Sequence, residues 1–369
     1  MFRKSLLFLS AMVMFALPSA CSSSGDSQEA RETQATQETQ DTQEAKETKE
    51  SKEAQDAQEG KESKSHKDHH RQIPRLAVIS ALADELTKLR EMTKVEKTVV
   101  LNGRSFYLGT LEGNKIVLFL SGMSMVNAAI STQTALENFQ ISGIVFSGIA
   151  GGVNPERNIG DVVVAEQWGQ YQENLFARSL QEGNDCKPEC KHNSSCWGDG
   201  IPGLHSKEFT NFGMMFPQSV FITHRGGETD KEEKKFWFSV DPAMLNVAKR
   251  VAPTVKLESC TATNECLNPP PAIAVGGNGV SGPTFVDNAD YRKYVWATFK
   301  ANALDMESAA VAHTAYVNKV PFIAFRSLSD LAGGGPGQNE MGTFFQLAAG
   351  NSAKVVCAFL REWSKPCKH

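Results

Sequence analysis

Residues 303–330 read ALDMESAAVAHTAYVNKVPFIAFRSLSD, and this stretch decides the fold. It opens from the short apolar run NALDM (302–306) and passes into ESAAVAHTAYVNK (307–319), whose Ala-rich composition favours helix. It closes with VPFIAFRSLSD (320–330), apolar through its first half, as in a strand buried on both faces. Asp305 and Glu307 stand at the helix start. Carboxylates are favoured in a first turn, where free N–H groups and the helix dipole stabilise negative charge. Local sequence alone therefore does not separate a cap from a catalytic acid.

The alternation continues outward. RLAVIS (75–80) precedes the helical pattern ADELTKLREM (83–92), and SMVNAAISTQTALENF (124–139) precedes the buried run GIVFSG (143–148). KTVVLNG, RSFYLGTLEGN and KIVLFLSG (97–122) read as hairpins, and TFFQLAAGNSAKVVCAFLREW (343–363) as a last helix. Apolar strands alternating with helices predict an α/β fold: a single three-layer domain over 73–369, with a mixed, largely parallel sheet flanked by helices. Between Gln167 and Pro271 the pattern dissolves, so an insertion is predicted over 168–270, packed on the main domain and stapled by disulfides. Its FWF (236–238) reads as a packing cluster.

Ahead of the domain the chain changes character. The whole has 369 residues, 41% hydrophobic and 22% charged, with net charge −4. Arg3 and Lys4 precede SLLFLSAMVMFAL (5–17) and the small residues PSAC (18–21), which predicts a signal peptide over 1–20. LPSACSSSG (17–25) resembles a bacterial lipoprotein cleavage site, with Cys21 as the lipidated residue and Pro18 where a Leu-like residue is usual. The resemblance implies an exported, envelope-anchored protein on a membrane surface; plain secretion is the alternative. Residues 21–72 read as a disordered tether built on an acidic triplet repeat. Eleven acidic and six basic residues between Glu29 and Lys64 account for the negative balance, and the near-neutral remainder argues against nucleic-acid binding.

Export also shapes the cysteine reading. Cys186, Cys190, Cys196, Cys260, Cys266 and Cys367 allow three disulfides, whereas Cys357 falls in an apolar helical pattern and reads as a buried thiol. Metal binding by Cys186-x₃-Cys190 is the weaker reading, and the His-containing SHKDHHRQ (65–72) reads as a solvated run. No metal or cofactor is expected.

In parallel sheets ligands bind beyond the carboxyl ends of the strands. Glu85, Glu307 and Asp330 each follow such a predicted end, and parallel strands would bring them to one rim together with Ser121, Gly122, GIAGG (148–152) and Arg326. Each acid alone reads as a first-turn or capping residue. Three at three strand ends favour an active site, with Asp305 left as a cap.

LAVISALADEL, SGMSMVNAA, SGIAGGVNPERNIGDVVV, SGPTFV, ALDMESAAVAHTAYVNKVPFIAFRSLSD and NSAKVVCAFL resemble, in that order, the nucleoside phosphorylase/nucleosidase superfamily. They look most like its methylthioadenosine/S-adenosylhomocysteine nucleosidase branch. The resemblance implies a homodimer that binds a small-molecule nucleoside and cleaves its N-glycosidic bond. Asp330 would protonate purine N7, Glu307 would hold the ribose hydroxyls, and Glu85 would activate water. Met306 would pack beneath the sugar, Phe285 would stack on the base, and Val286 would offer backbone hydrogen bonds. Ser121, Arg326 and Ser329 would line the site. Acidic Asp84 and Glu85 stand where a phosphorylase would need a cationic cradle, which favours water over phosphate. Two departures stand out: Pro283 in SGPTF where the branch usually has Asp, and a glycine-rich stretch after Asp330, where Met341 or Phe344 would replace the usual aromatic.

Overall fold

Strand β1 (Arg75–Ser80) is buried at all six positions, and its side chains alternate between two separate apolar cores. Ala77 and Ile79 join one, Leu76 and Val78 the other. A strand that feeds a core on each side is what a three-layer domain requires. The computed structural model describes residues 73–176, 215–228 and 231–365. The predicted signal peptide, Cys21, the tether and Cys186, Cys190, Cys196 and Cys367 lie outside the described residues.

Among the described residues six α-helices flank the sheet: α1 (Ala83–Met92), α2 (Met125–Asn138), α3 (Pro242–Val251), α4 (Ala289–Phe299), α5 (Ser308–Val317) and α6 (Met341–Trp363). On one face α1, α3 and α6 bury Leu86, Leu89, Met244, Val356 and Phe359 against Val78, Ile323 and Phe325. On the other, α2 and α5 pack small residues such as Ala128, Ala135, Ala309 and Ala312 against Ile79, Phe146 and Ala324. Each large buried side chain contributes about 1.5–3 kcal/mol. Where caps form, they follow the sequence: Asp241 accepts from Met244 N and Asn288 from Tyr291 N.

The sheet begins as a meander of β2 (Lys94–Leu101), β3 (Arg104–Leu111) and β4 (Asn114–Leu120), as the hairpin patterns predict. β4 lies parallel to β1, and β1 parallel to β5 (Ile141–Gly152). Beyond come β6 (Val162–Val164), β7 (Gln167–Gln170), the short strands β8 (Asn174–Phe176), β9 (Met215–Pro217), β10 (Val220–Ile222) and β11 (Glu233–Lys235), and then β12 (Trp237–Ser239). The last four are β13 (Ile273–Val275), β14 (Asn278–Ser281), β15 (Ala301–Asp305) and β16 (Phe322–Asp330).

The described parts of the segment 168–270 join the main domain closely. β7 and β12 extend the main sheet, and α3 caps it with fully buried Met244, because Trp168, Phe238 and Met244 are apolar enough to join the cores. Phe236 and Phe238 do form packing contacts, with Phe299 and His313. Among the described cysteines, Cys260 pairs with Cys266, and Cys357 is a buried free thiol.

One expectation, that of strand direction, needs correction. β16 runs parallel to β5, but β15 runs antiparallel to it. Ile144, Val145 and Phe146 lie between β1 and β16, while Gly151 lies between Leu304 of β15 and Asp330 of β16. β1 and β15 therefore approach the same edge of β5 from opposite directions and leave it unpaired between Phe146 and Gly151.

Candidate active site

That unpaired edge is where the acids meet. Glu85, in the first turn of α1, sends Oε1 to the N–H of Ile149 (2.9 Å), while Oε2 accepts from the N–H groups of Ala81 (2.8 Å) and Leu82 (2.9 Å). Glu307 arrives from the other side, immediately before α5, and accepts from Ser124 N at 2.7 Å. Asp330 ends β16 opposite Gly151. All three carboxylates are buried and line one cavity of about 160 Å³. Convergence thus does not need three parallel strands; one central strand gathers all three acids.

Apart from Asp305, Thr284 and Ser329, the rest of the cavity wall is apolar. Met306, Val286 and Met341 line it, with half-exposed Phe285 and Met123 also on its wall. Ser329 lines it too, but its hydroxyl is turned to Asp330 Oδ2 (2.8 Å). Of the two candidates Met341 and Phe344, Met341 is among the lining residues. A larger groove of about 550 Å³ between α1 and α6 carries Lys88, Lys354 and Arg361 and none of the three acids.

Ser121 and Arg326 do not line the cavity, contrary to expectation. Ser121 is fully buried: its hydroxyl donates to Gly122 O, and its carbonyl accepts from the hydroxyl of Ser131 in α2. Arg326 lies behind the wall, its guanidinium 4.0 Å over the Phe146 ring, with Nε 2.7 Å from Asp305 and Nη2 3.4 Å from Glu307. It is the buried counter-ion of the acids. Gly148 makes room for it, since a Cβ there would collide with Nη1 and stand 2.7 Å from Glu85 Oε1.

Asp305 is more than a cap. Its carboxylate accepts from the N–H groups of Glu307 and Ser308 (3.2 and 3.1 Å), from the hydroxyls of Ser281 and Ser308, and pairs with Arg326. It closes the first turn of α5 and fixes the guanidinium at once. Sequence gave no signal for the second task, because Arg326 lies in the next strand.

Each acid has its own electrostatic setting. Burial pushes the Glu307 carboxyl up to about 7, with Asp305 adding to the rise and Arg326 opposing it. Burial also raises Glu85, against the pull of Arg326 and three backbone N–H groups. For Asp330, burial and the charge of Glu340 favour the protonated acid; donors from Ala332, Ser329 and Asn339 oppose them. All three carboxyls are thus shifted towards the protonated acid, each by a different set of neighbours.

Residues 75–361 match the model of the Phosphorylase superfamily, and the chain belongs to that superfamily. It is similar to the 5′-methylthioadenosine/S-adenosylhomocysteine nucleosidase of Tolumonas auensis, 26% identical over 291 residues that cover 78% of this chain and 99% of the relative. It is also similar to bark storage protein A of Populus deltoides, 28% identical over 64% of this chain and 72% of that protein. Among solved structures, the nucleosidase of the same name from Neisseria meningitidis, in complex with methylthio-immucillin-A, superimposes with a TM-score of 0.55 at 26% identity. That match covers 78% of this chain and 99% of the other.

Proposed function

We propose that this protein hydrolyses the N-glycosidic bond of purine nucleosides of the methylthioadenosine/S-adenosylhomocysteine kind, releasing free base and a ribose derivative for salvage or scavenging. The observation that carries the reading is the meeting of Glu85, Glu307 and Asp330 around one cavity. Breaking the bond builds an oxocarbenium-like centre on the sugar, which a nearby carboxylate stabilises. Glu307 supplies that charge and holds the ribose hydroxyls. Asp330 gives a proton to purine N7, so that the base leaves neutral. Glu85 takes a proton from the attacking water. Met306 packs under the sugar, Phe285 stacks on the base, and Val286 presents its backbone to the base edge.

Water is favoured over phosphate by Glu85 itself. Its carboxylate already occupies the N–H groups of Ala81, Leu82 and Ile149. A second anion there would meet both repulsion and consumed donors.

The same proposal includes export with lipidation at Cys21, and a homodimer. Exposed Met123, Val126 and Ile130, on the loop before α2 and on α2 itself, supply the apolar surface for a second copy. The mass of the mature N-terminus and light scattering of the purified domain test these two points. The test of function is incubation with adenosine, methylthioadenosine, S-adenosylhomocysteine and inosine, each with and without phosphate, with free base measured. Equal release under both conditions is expected. Release that requires phosphate makes the protein a phosphorylase, and no release from any substrate leaves only a binding role.

A further inference from the structure

β16 changes register just before its acid. Ser327 and Leu328 stand opposite Ile149 and Ala150 of β5, but Asp330 stands opposite Gly151, so Ser329 is one residue too many. In a regular strand Leu328 and Asp330 would share a face. Here they do not. A Cβ at Gly152 would lie 3.0 Å from Leu328 Cδ1, whereas one at neighbouring Gly151 would lie 3.2 Å from Asp330 Oδ1, on the other face of the sheet. Without the extra residue, Asp330 would follow Leu328 towards the apolar core that Leu328 fills. The bulge is what turns the acid to the cavity.

The other edge of β16 shows what holds the bulge in place. β6 pairs there with Arg326 and Ser327. The turn ahead of β6 takes both backbone groups of Leu328: Gly160 N donates to Leu328 O (2.7 Å), and Leu328 N donates to Asp161 O (2.8 Å). Pairing therefore reaches Leu328 on both edges, and the extra residue falls at Ser329. Asp161 is itself buried. Its carboxylate accepts from Asn158 N at Oδ2 (3.0 Å) and from Ala272 N at Oδ1 (2.8 Å), with Arg157 Nη1 3.8 Å from Oδ2. We infer that Asp161 is a positioning residue for Asp330: its carboxylate fastens the 158–161 turn to the segment before β13, and the fastened turn fixes the bulge that aims the acid. The inference rests on the reading of Asp330 as general acid. Closing the turn needs only the bond from Asn158 N, whereas the bond from Ala272, 111 residues along the chain, anchors the turn from outside. Ser329 Oγ and Ala332 N orient the carboxyl once it has arrived; they lie at and beyond the bulge and do not set its place.

The test compares Asp161→Ala, Asp161→Asn and Asp330→Asn in the full chain, measuring kcat and KM for methylthioadenosine and for para-nitrophenyl riboside. Asp161→Ala removes both acceptors and should lower kcat for methylthioadenosine about tenfold with KM nearly unchanged. Asp161→Asn keeps an acceptor for Ala272 N and should fall between that variant and the wild type. The nitrophenyl riboside supplies the contrast, because nitrophenolate leaves as a stable anion and needs no proton from Asp330. In both Asp161 variants, as in Asp330→Asn, turnover of methylthioadenosine should drop relative to that of the nitrophenyl riboside. An equal drop on both substrates, a rise in KM that accounts for the loss, or wild-type turnover by the folded variants overturns the role of Asp161 and leaves the acid in place. If the alanine variant does not fold, the same comparison on the asparagine variant decides. Full turnover of methylthioadenosine by Asp330→Asn overturns the acid and this inference together.

Discussion

The N–H of Ser124 donates to Glu307 Oε1 at 2.7 Å from a backbone conformation, φ 78° and ψ 159°, that is almost confined to glycine. A strained residue therefore holds the carboxylate assigned to the sugar. Ser124→Gly keeps the N–H and removes the strain. It should raise stability by about 0.5–1 kcal/mol after the entropy of the added glycine, with kcat nearly unchanged. Ser124→Val should lower both stability and kcat. Urea melts alongside kinetics check the pair, and a destabilised glycine variant would argue against strain at this site.

Glu307 carries a cost in stability that depends on pH. Its carboxyl rises from 4.5 to about 7 on folding, so the folded chain binds that proton more tightly than the unfolded chain. This contribution favours folding below about 4.5 and is lost as pH rises towards 7. Glu307→Gln should abolish turnover yet stabilise the fold by about 1–3 kcal/mol at pH 8, and by much less at pH 5. Chemical melts at the two pH values give the comparison; an equal effect at both would remove the titration of Glu307 as the cause.

Glu85→Ala should cost about 10²–10⁴-fold in kcat. It also leaves the N–H groups of Ala81, Leu82 and Ile149 converging on the space that the carboxylate filled. Added formate should restore part of the lost rate, whereas chloride at equal ionic strength should not. Failure of formate to rescue would mean that Glu85 orients the loop rather than taking a proton.

Arg326 is fully buried between Asp305 and Glu307. Arg326→Met leaves both acids without their counter-ion and should destabilise by about 3–5 kcal/mol. The loss should be greater at pH 8 than at pH 5, because Glu307, whose carboxyl is raised to about 7, is protonated at the lower pH. Thermal melts across pH settle this; a loss of substrate affinity with unchanged stability would return Arg326 to a ribose contact.

Much of the fold was legible because it rests on local pattern. The fully apolar β1 and β16 announce a covered sheet, and Glu85, Glu307 and Asp330 stand out by their places at element ends. Less was legible where partners are distant in sequence. The antiparallel course of β15 depends on pairing with Gly151 and Gly152, and nothing in Ala-Asn-Ala-Leu-Asp encodes it. Asp305 reads as a helix cap because that half of its role is local, whereas its ion pair with Arg326 is set by tertiary packing. Trp168 and Met244 looked like parts of an insertion since their elements are short, yet each fills a core. Asn339 carries no motif, and only the folded loop brings its amide to the Asp287 carboxylate.

The gap on β5 between Phe146 and Gly151 has a consequence for how the protein comes into being. Its three acids belong to positions 85, 307 and 330, so the constellation exists only after the chain has closed loops of more than two hundred residues. No fragment or half-assembled intermediate owns a working part of it. During refolding, turnover should therefore emerge in step with the final tertiary signal and lag behind helix formation, which makes catalysis itself a reporter of complete assembly.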